Sequence, residues 1–402
     1  MLTAWRSIIQ PSSFPELMKG GAFAGLILIE TMLAFGNTFA ASFSMIYLYN
    51  ELDMPLWSGP IYICLGFAIS AVISVWMSRR PSMDPRNAII FGLAWLIIEY
   101  SLFLVVDNGW MIGLLVGIAF GIYYPFFWTP INMLMAQMTE KNDRGVKYGA
   151  FFFVWPLAGF IAPLLGGVVI GIWNYRILYL VGIAIISLTA LLVVAYRNHI
   201  PKNQVMKIRL EAVGRRNVIA LIGEGGFEGI FWIDVTLVAY IFSQDEVSLG
   251  ALFSLFGLCA GIMGIILGKV SDKIQNRSFF LKLSVIGSIP CIILIGLASN
   301  MDEFILANGL LEFACFVLPV FLFAILTDTM EEKKNDSVIT REYILDIARA
   351  GAIALLMLML YLGFTPQETF LLAIPFLILM LVAKERKHHE GTAQESIIDK
   401  NQ

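Results

Sequence analysis

Histidine is almost missing from this sequence, cysteine is rare, and charge of either sign is thin. The three histidines, His199, His388 and His389, lie outside the apolar runs, which removes most metal-centred or His-driven chemistry from the interior. Cys64, Cys259, Cys291 and Cys315 fall inside apolar runs with no CxxC pair. They read as small core residues, not as disulfides or metal ligands. Asp, Glu, Lys and Arg make up 14% of the 402 residues, whereas a soluble domain carries roughly 25%. A phosphate-cradling loop is missing too, because GIILGKV (264–270) has neither the glycine spacing nor the Ser or Thr of a P-loop. No cofactor, metal or nucleic acid is expected as a partner. An enzyme would need a His, Cys or Ser–base constellation near the interface, and none is visible.

What the chain has in excess is apolar surface. Hydrophobic residues make up 58% of positions and the mean hydropathy is +0.79, the composition of an all-α integral membrane protein. Residues 1–20 are mixed and interrupted by prolines, so no cleavable signal is expected and the first long apolar run reads as a retained span. A spanning helix needs ~20 mostly apolar residues. That rule places spans near 21–49, 58–77, 88–106, 109–138, 148–172 and 175–196, then near 217–242, 247–270, 279–298, 303–329, 341–363 and 367–383. About twelve helices result, as two pseudo-symmetric six-helix bundles. The expected organisation is a cytoplasmic segment over 1–20, bundles over 21–196 and 217–383, a linker over 197–216 and a tail over 384–402.

The loops alternate in charge. One set (SRRPSMDPR, EKNDRGVK, the linker, SDKIQNR, EEKKNDSVITR, KERKHH) is basic. The opposite set (NELDM, DNG, WNYR, SQDEV, NMDE, TPQE) has Arg176 as its only basic residue. Lys and Arg stay on the cytoplasmic side, so both termini are expected there, in a multi-pass protein of the cell membrane. Trp57, Trp110 and Trp173 then fall at outer helix ends and Trp76 at an inner one, as an aromatic belt would place them. The halves echo each other: MTEKNDRGVKYG (138–149) resembles MEEKKNDSVITREYIL (330–345), the internal similarity of repeat-built transporters.

At GKVSDKIQNR (268–277) the chain resembles the major facilitator superfamily, with Gly268, Asp272, Lys273 and Arg277 in the places of that family's loop motif. Gln275 departs from the usual second glycine, and the counterpart SVWMSRRPSMDPR has no Asp at the matching place. The resemblance implies that Asp272 caps the inner end of the fifth span and pairs with Arg144. Within that span, WPLAGFIAPLLGG (155–167) is similar to the Gly/Pro signature of exporter-type members through Gly159, Pro163, Gly166 and Gly167. Close helix packing in lipid explains the same pattern. The span-four Arg motif of many proton antiporters is missing.

An acid at a helix centre costs roughly 2.5–3.5 kcal/mol on insertion scales, so it needs a partner, a proton or water. LIGEGGFEGIFWID (221–234) carries Glu224 and Glu228 one turn apart on one face, and Asp234 roughly 120° away. Glu228 falls near mid-membrane. These acids serve either as proton-coupling groups or as structural partners of a buried Arg. Glu30, Asn37 and Ser44 recur at heptad spacing on the first span; Asn308 and Glu312 sit four apart on the tenth. The fourth offers Tyr123, Tyr124, Trp128 and Asn132 around Pro125 and Pro130, which are expected to kink it. The resemblance implies that spans one, four, seven and ten line a central cavity. In REYILDIARAG (341–351), Glu342, Asp346 and Arg349 share a face. Arg349 reads as the only basic residue buried in any span, roughly 12–15 Å deep, and as paired with Asp346 and an acid from another helix. Glu99 on the third span reads as peripheral.

The function expected is a monomeric secondary transporter working by alternating access in contact with membrane lipid. It is expected to be proton-coupled and to move a small or amphipathic organic solute, with export as the expected direction. A lipid or lipid-linked-saccharide flippase on the same fold is the alternative.

Overall fold

The computed structural model describes residues 21–140, 144–270 and 277–384, with backbone alone for 144–146, 267–270 and 331. Among the described residues, eleven helices are long and apolar enough to cross a membrane: α1 Gly21–Asn50, α2 Ile61–Ser78, α3 Pro85–Val105, α4 Gly109–Gln137, α5 Arg144–Ile172, α6 Tyr175–Tyr196, α7 Arg215–Phe242, α8 Glu246–Val270, α9 Arg277–Leu297, α10 Met301–Thr329 and α11 Lys334–Tyr361. A twelfth, α12 Pro366–Met380, is shorter and consists of two pieces, Pro366–Phe370 and Ala373–Met380. Side chains such as Val72, Leu191 and Leu297 are 70%, 64% and 71% exposed on the outer surface, an arrangement that suits hydrocarbon and not water.

Local chemistry starts the helices where the chain turns. Asp84, Asn108, Asn174 and Asn300 each accept a backbone N–H in the first turn of α3, α4, α6 and α10, satisfying donors that have no intrahelical partner. Thr365 and Glu368 close a reciprocal capping box on α12. Pro125 and Pro130 leave α4 as one unbroken helix from Gly109 to Gln137.

One span and the linker differ from the sequence reading. α11 begins at Lys334, a full two turns before the expected 341. The segment KNDSVIT is polar by composition, yet Ser337, Thr340, Arg341 and Glu342 are buried, so its polarity serves contacts inside the protein. The linker is likewise more than a tether. Gln204 exchanges both backbone hydrogen bonds with Met83, and Leu210–Val213 forms a short helical turn before α7.

The six helices before the linker and the six after it repeat one neighbour pattern. α1 packs on α5 and α6 as α7 packs on α11 and α12; α4 lies against α2 and α3 as α10 lies against α8 and α9. The two most extensive seams between the halves are α5 with α8 and α2 with α11. The first is made of small residues. A Cβ on Gly257 would fall 2.4 Å from the Gly159 carbonyl carbon, and one on Gly250 2.5 Å from the Pro163 carbonyl oxygen. The Gly/Pro run of α5 thus has a packing role that accounts for it.

Candidate functional site

The GEGGFEG run of α7 is built for close approach. A Cβ on Gly225 would sit 2.6 Å from the Leu345 carbonyl oxygen, and one on Gly229 3.0 Å from that of Arg349, so α11 can lie directly on this face. The contact brings the acids of α7 to two arginines. Glu224 accepts from Arg341 Nη2 at 2.5 Å, and Glu228 accepts from Arg349 Nε and Nη2 at 2.9 and 2.5 Å. Both pairs advance together along the chain, so the two helices run in the same direction.

The Arg341 level is the more enclosed. Its side chain is 5% exposed and that of Glu224 is 1%. Glu342 accepts from Arg341 at 2.9 Å and from Asn132 of α4 at 3.2 Å. The guanidinium lies 5.0 Å from the Phe323 ring of α10. Arg349 is therefore not the only buried basic residue in the spans. Arg341 escaped the sequence reading because it opens the span as read, where a basic residue is expected at the membrane surface.

The Arg349 level crosses the interface between the halves. Nη1 donates to Asp346 Oδ1 and to the Tyr124 hydroxyl of α4, both at 3.1 Å. Ser70 of α2 donates to Asp346 Oδ2 at 2.5 Å. Phe67 of α2 and Trp232 of α7 each lie 5.1 Å from the guanidinium carbon, with Tyr124 at 5.6 Å, an aromatic box that suits a desolvated cation. Nearby, the Cys64 thiol of α2 donates to the Ala350 carbonyl of α11 at 3.4 Å. Glu228 is the most accessible carboxylate of these pairs, 12% exposed, against 1% for Asp346 and 3% for Glu342.

A strip of rings leads away from Arg349. Tyr124 and Trp128 are 5.9 Å apart, and Trp128 and Trp155 of α5 are 5.4 Å apart. Trp155 Nε1 donates to Glu30 Oε1 at 2.7 Å, leaving Oε2 buried without a partner. Trp155 was read only as the start of the Gly/Pro run; its place on the fifth span, outside the four expected to line a cavity, hid it. Tyr123 is buried behind the strip.

Other candidates lie elsewhere. Asn37 accepts from Tyr100 of α3 at 2.9 Å, so Glu30 and Asn37 face different helices and the heptad stripe does not line one cavity. Asp234 accepts from Thr369 of α12 at 3.0 Å, away from Arg349. Asn308 is buried with neither amide atom bonded; Glu312 is half-buried beside Cys259 of α8. Glu99 is buried close to Tyr62 and Tyr123. Of the loop motif, Asp272 and Lys273 lie outside the described residues, and Gly268 and Arg144 are described by backbone alone. The expected Asp272–Arg144 pair therefore lies outside them as well. Arg277 forms an ion pair with Asp328. Among the described residues no group of three His, Cys, Asp or Glu is placed to hold a metal.

The interface is bridged at both ends. On the linker side, Gln137 of α4 donates to Asn335 at 2.6 Å and to Gln204 at 2.7 Å, and Lys334 donates to the Thr139 carbonyl at 2.8 Å. Asp336 accepts from the Lys207 backbone and from Arg209 Nε at 2.7 and 2.6 Å. On the opposite side, Asn50 donates to Glu246 at 2.8 Å and accepts from Tyr240 at 2.8 Å, while Tyr175 donates to Glu246 at 2.9 Å. The two halves are thus bridged at both ends and across the centre.

Residues 218–398 match the model of the Major Facilitator Superfamily. The human organic anion transporter MFSD10 superposes with a TM-score of 0.67 at 14% identity, over 90% of this chain and 99% of that one. A POT family transporter in complex with a thioalcohol-conjugated peptide gives 0.67 at 14% identity, over 90% and 94%. The Escherichia coli fucose:proton symporter FucP gives 0.63 at 12% identity, over 90% and 97%. In sequence, the uncharacterized YqgE of Bacillus subtilis is 22% identical over 260 residues, 60% of this chain and 58% of that relative's length.

Proposed function

We propose that this chain, whose residues 218–398 match the Major Facilitator Superfamily model, is a secondary active transporter that couples proton movement to a small organic solute by alternating access. The observation that carries the reading is the Arg349 junction. Glu228 and Asp346 hold the guanidinium from one half, while from the other Tyr124 accepts from it and Ser70 donates to Asp346. Opening either side must strain or break that junction, so any event that discharges Glu228 changes the balance between states. Among the similar structures, a fucose:proton symporter couples solute to protons, which supports the same logic here. Both gates and the junction come from a single chain, which suits a monomer. The basic loops support a cytoplasmic linker side in a cell-membrane protein. The Gly/Pro run of α5 is explained by its contact with α8 and carries no argument for export. No observation favours the flippase reading.

Reconstituted vesicles with an imposed pH gradient test the proposal. Glu228→Gln is expected to abolish gradient-driven flux while leaving solute exchange measurable. Full gradient-driven flux in that variant would rule Glu228 out as the coupling group.

A further inference from the structure

We propose that the Nε–Nη2 edge of Arg349 is a receptor for the carboxylate of an organic anion, and that Glu228 occupies it as an internal stand-in while substrate is absent. The inference rests on the transport reading in one respect only, that Arg349 lies on the substrate path.

The division of labour around the guanidinium is the first argument. Nη1 is held by Asp346 and Tyr124, both at 3.1 Å, and this fixes the plane of the group. The Nε–Nη2 edge is the fork that binds a carboxylate with two parallel bonds. Here it converges on one oxygen, Glu228 Oε2. That leaves the fork less than fully matched and its occupant the most accessible acid of the pairs. The walls are the second argument. Trp232 is 42% exposed beside Phe67 and Arg349, and Tyr124 continues into Trp128. An aryl or alkyl body attached to the carboxylate would find aromatic faces on both halves.

Exchange of the two carboxylates conserves charge. Glu228 takes one proton and leaves the fork as a neutral acid; one substrate anion takes its place. Site charge is unchanged, so one anion and one proton move together as a neutral pair. The groups within electrostatic reach of Glu228 are Arg349 and Arg341 on α11, Glu224 on α7, Tyr124 on α4 and Cys315 on α10. Asp346 and Glu342 are each already bonded to an arginine and to a group from the other half, which leaves Glu228 as the exchangeable member.

Binding of phenylacetate, phenylacetamide and phenethylamine to the purified full chain in nanodiscs, read by tryptophan fluorescence, tests this. Phenylacetate is expected to bind at least about tenfold more tightly than its amide or amine, as a charge-assisted fork demands. Its affinity should rise as pH falls, by up to about tenfold per unit, because one proton is taken up on binding. Arg349→Lys keeps the charge and loses the fork, and is expected to lose at least about tenfold in affinity. Should that variant fail to fold, Glu228→Gln carries the test, binding phenylacetate with a flat pH profile. Equal binding of the amide or amine overturns the receptor, as does an unaltered pH profile in Glu228→Gln, or no binding of any of the three up to about 10 mM. Proton-driven flux of an uncharged solute alone would sink the receptor and leave the transport reading standing. Carboxylate binding with no proton-linked flux in vesicles would do the reverse.

Discussion

Gly257 of α8 rests on Gly159 of α5 so closely that a Cβ at Gly257 would fall 2.4 Å from the Gly159 carbonyl carbon, whereas a Cβ at Gly159 would meet Gly257 Cα at an ordinary 3.6 Å. The contact is asymmetric, and the two positions should respond differently to the same change. Gly257→Ala is expected to destabilise by about 1–3 kcal/mol through overpacking against backbone. Gly159→Ala should be neutral or stabilise by up to about 1 kcal/mol from helix propensity. Thermal unfolding of the two purified variants checks this, and equal melting temperatures would contradict the packing account.

Glu224 and Arg341 are expected to act as a structural pair. Removing one partner leaves a buried charge, so Arg341→Met should cost about 3–5 kcal/mol. Adding Glu224→Gln should recover part of that loss, since the acid no longer needs its cation. A double-mutant cycle on melting temperature and gradient-driven flux measures both. A double variant that melts no higher than Arg341→Met would place the role of Glu224 elsewhere.

Asp336 fastens the linker to the start of α11. It accepts from the Lys207 backbone and from Arg209, whose side chain is 41% exposed. Exposure limits the ion pair to about 0–1 kcal/mol, and the charge-assisted backbone bond adds about 1.5–3 kcal/mol. Asp336→Ala should therefore loosen the linker, and limited trypsin digestion at Lys207 and Arg209 should run several-fold faster. Unchanged cleavage would mean that Thr340, Asn335 and the Met83 bridge hold the strap without it.

The glycines and acids of α7 were legible together as an oddity in an apolar run; what they pair with was not. Glu224 meets Arg341 across 117 residues of chain, and Glu228 meets Arg349 across 121. Such partners are chosen by packing, and hydropathy carries no information about it. Span positions were readable because length and apolarity are set by the bilayer. The start of α11 was not, because its polar residues face protein and linker instead of solvent. Asn37 shows the converse limit. Heptad spacing with Glu30 is real, but two helices, α3 and α5, share the face that the spacing defines.

Cys64 closes on the Ala350 carbonyl at the α2–α11 seam. Its thiol must lose that acceptor whenever the seam parts, so its reaction rate with a maleimide reads how often the seam opens. The protein thus carries its own clock, in a native side chain that needs no engineered label. A rate that quickens under a pH gradient would time the cycle itself.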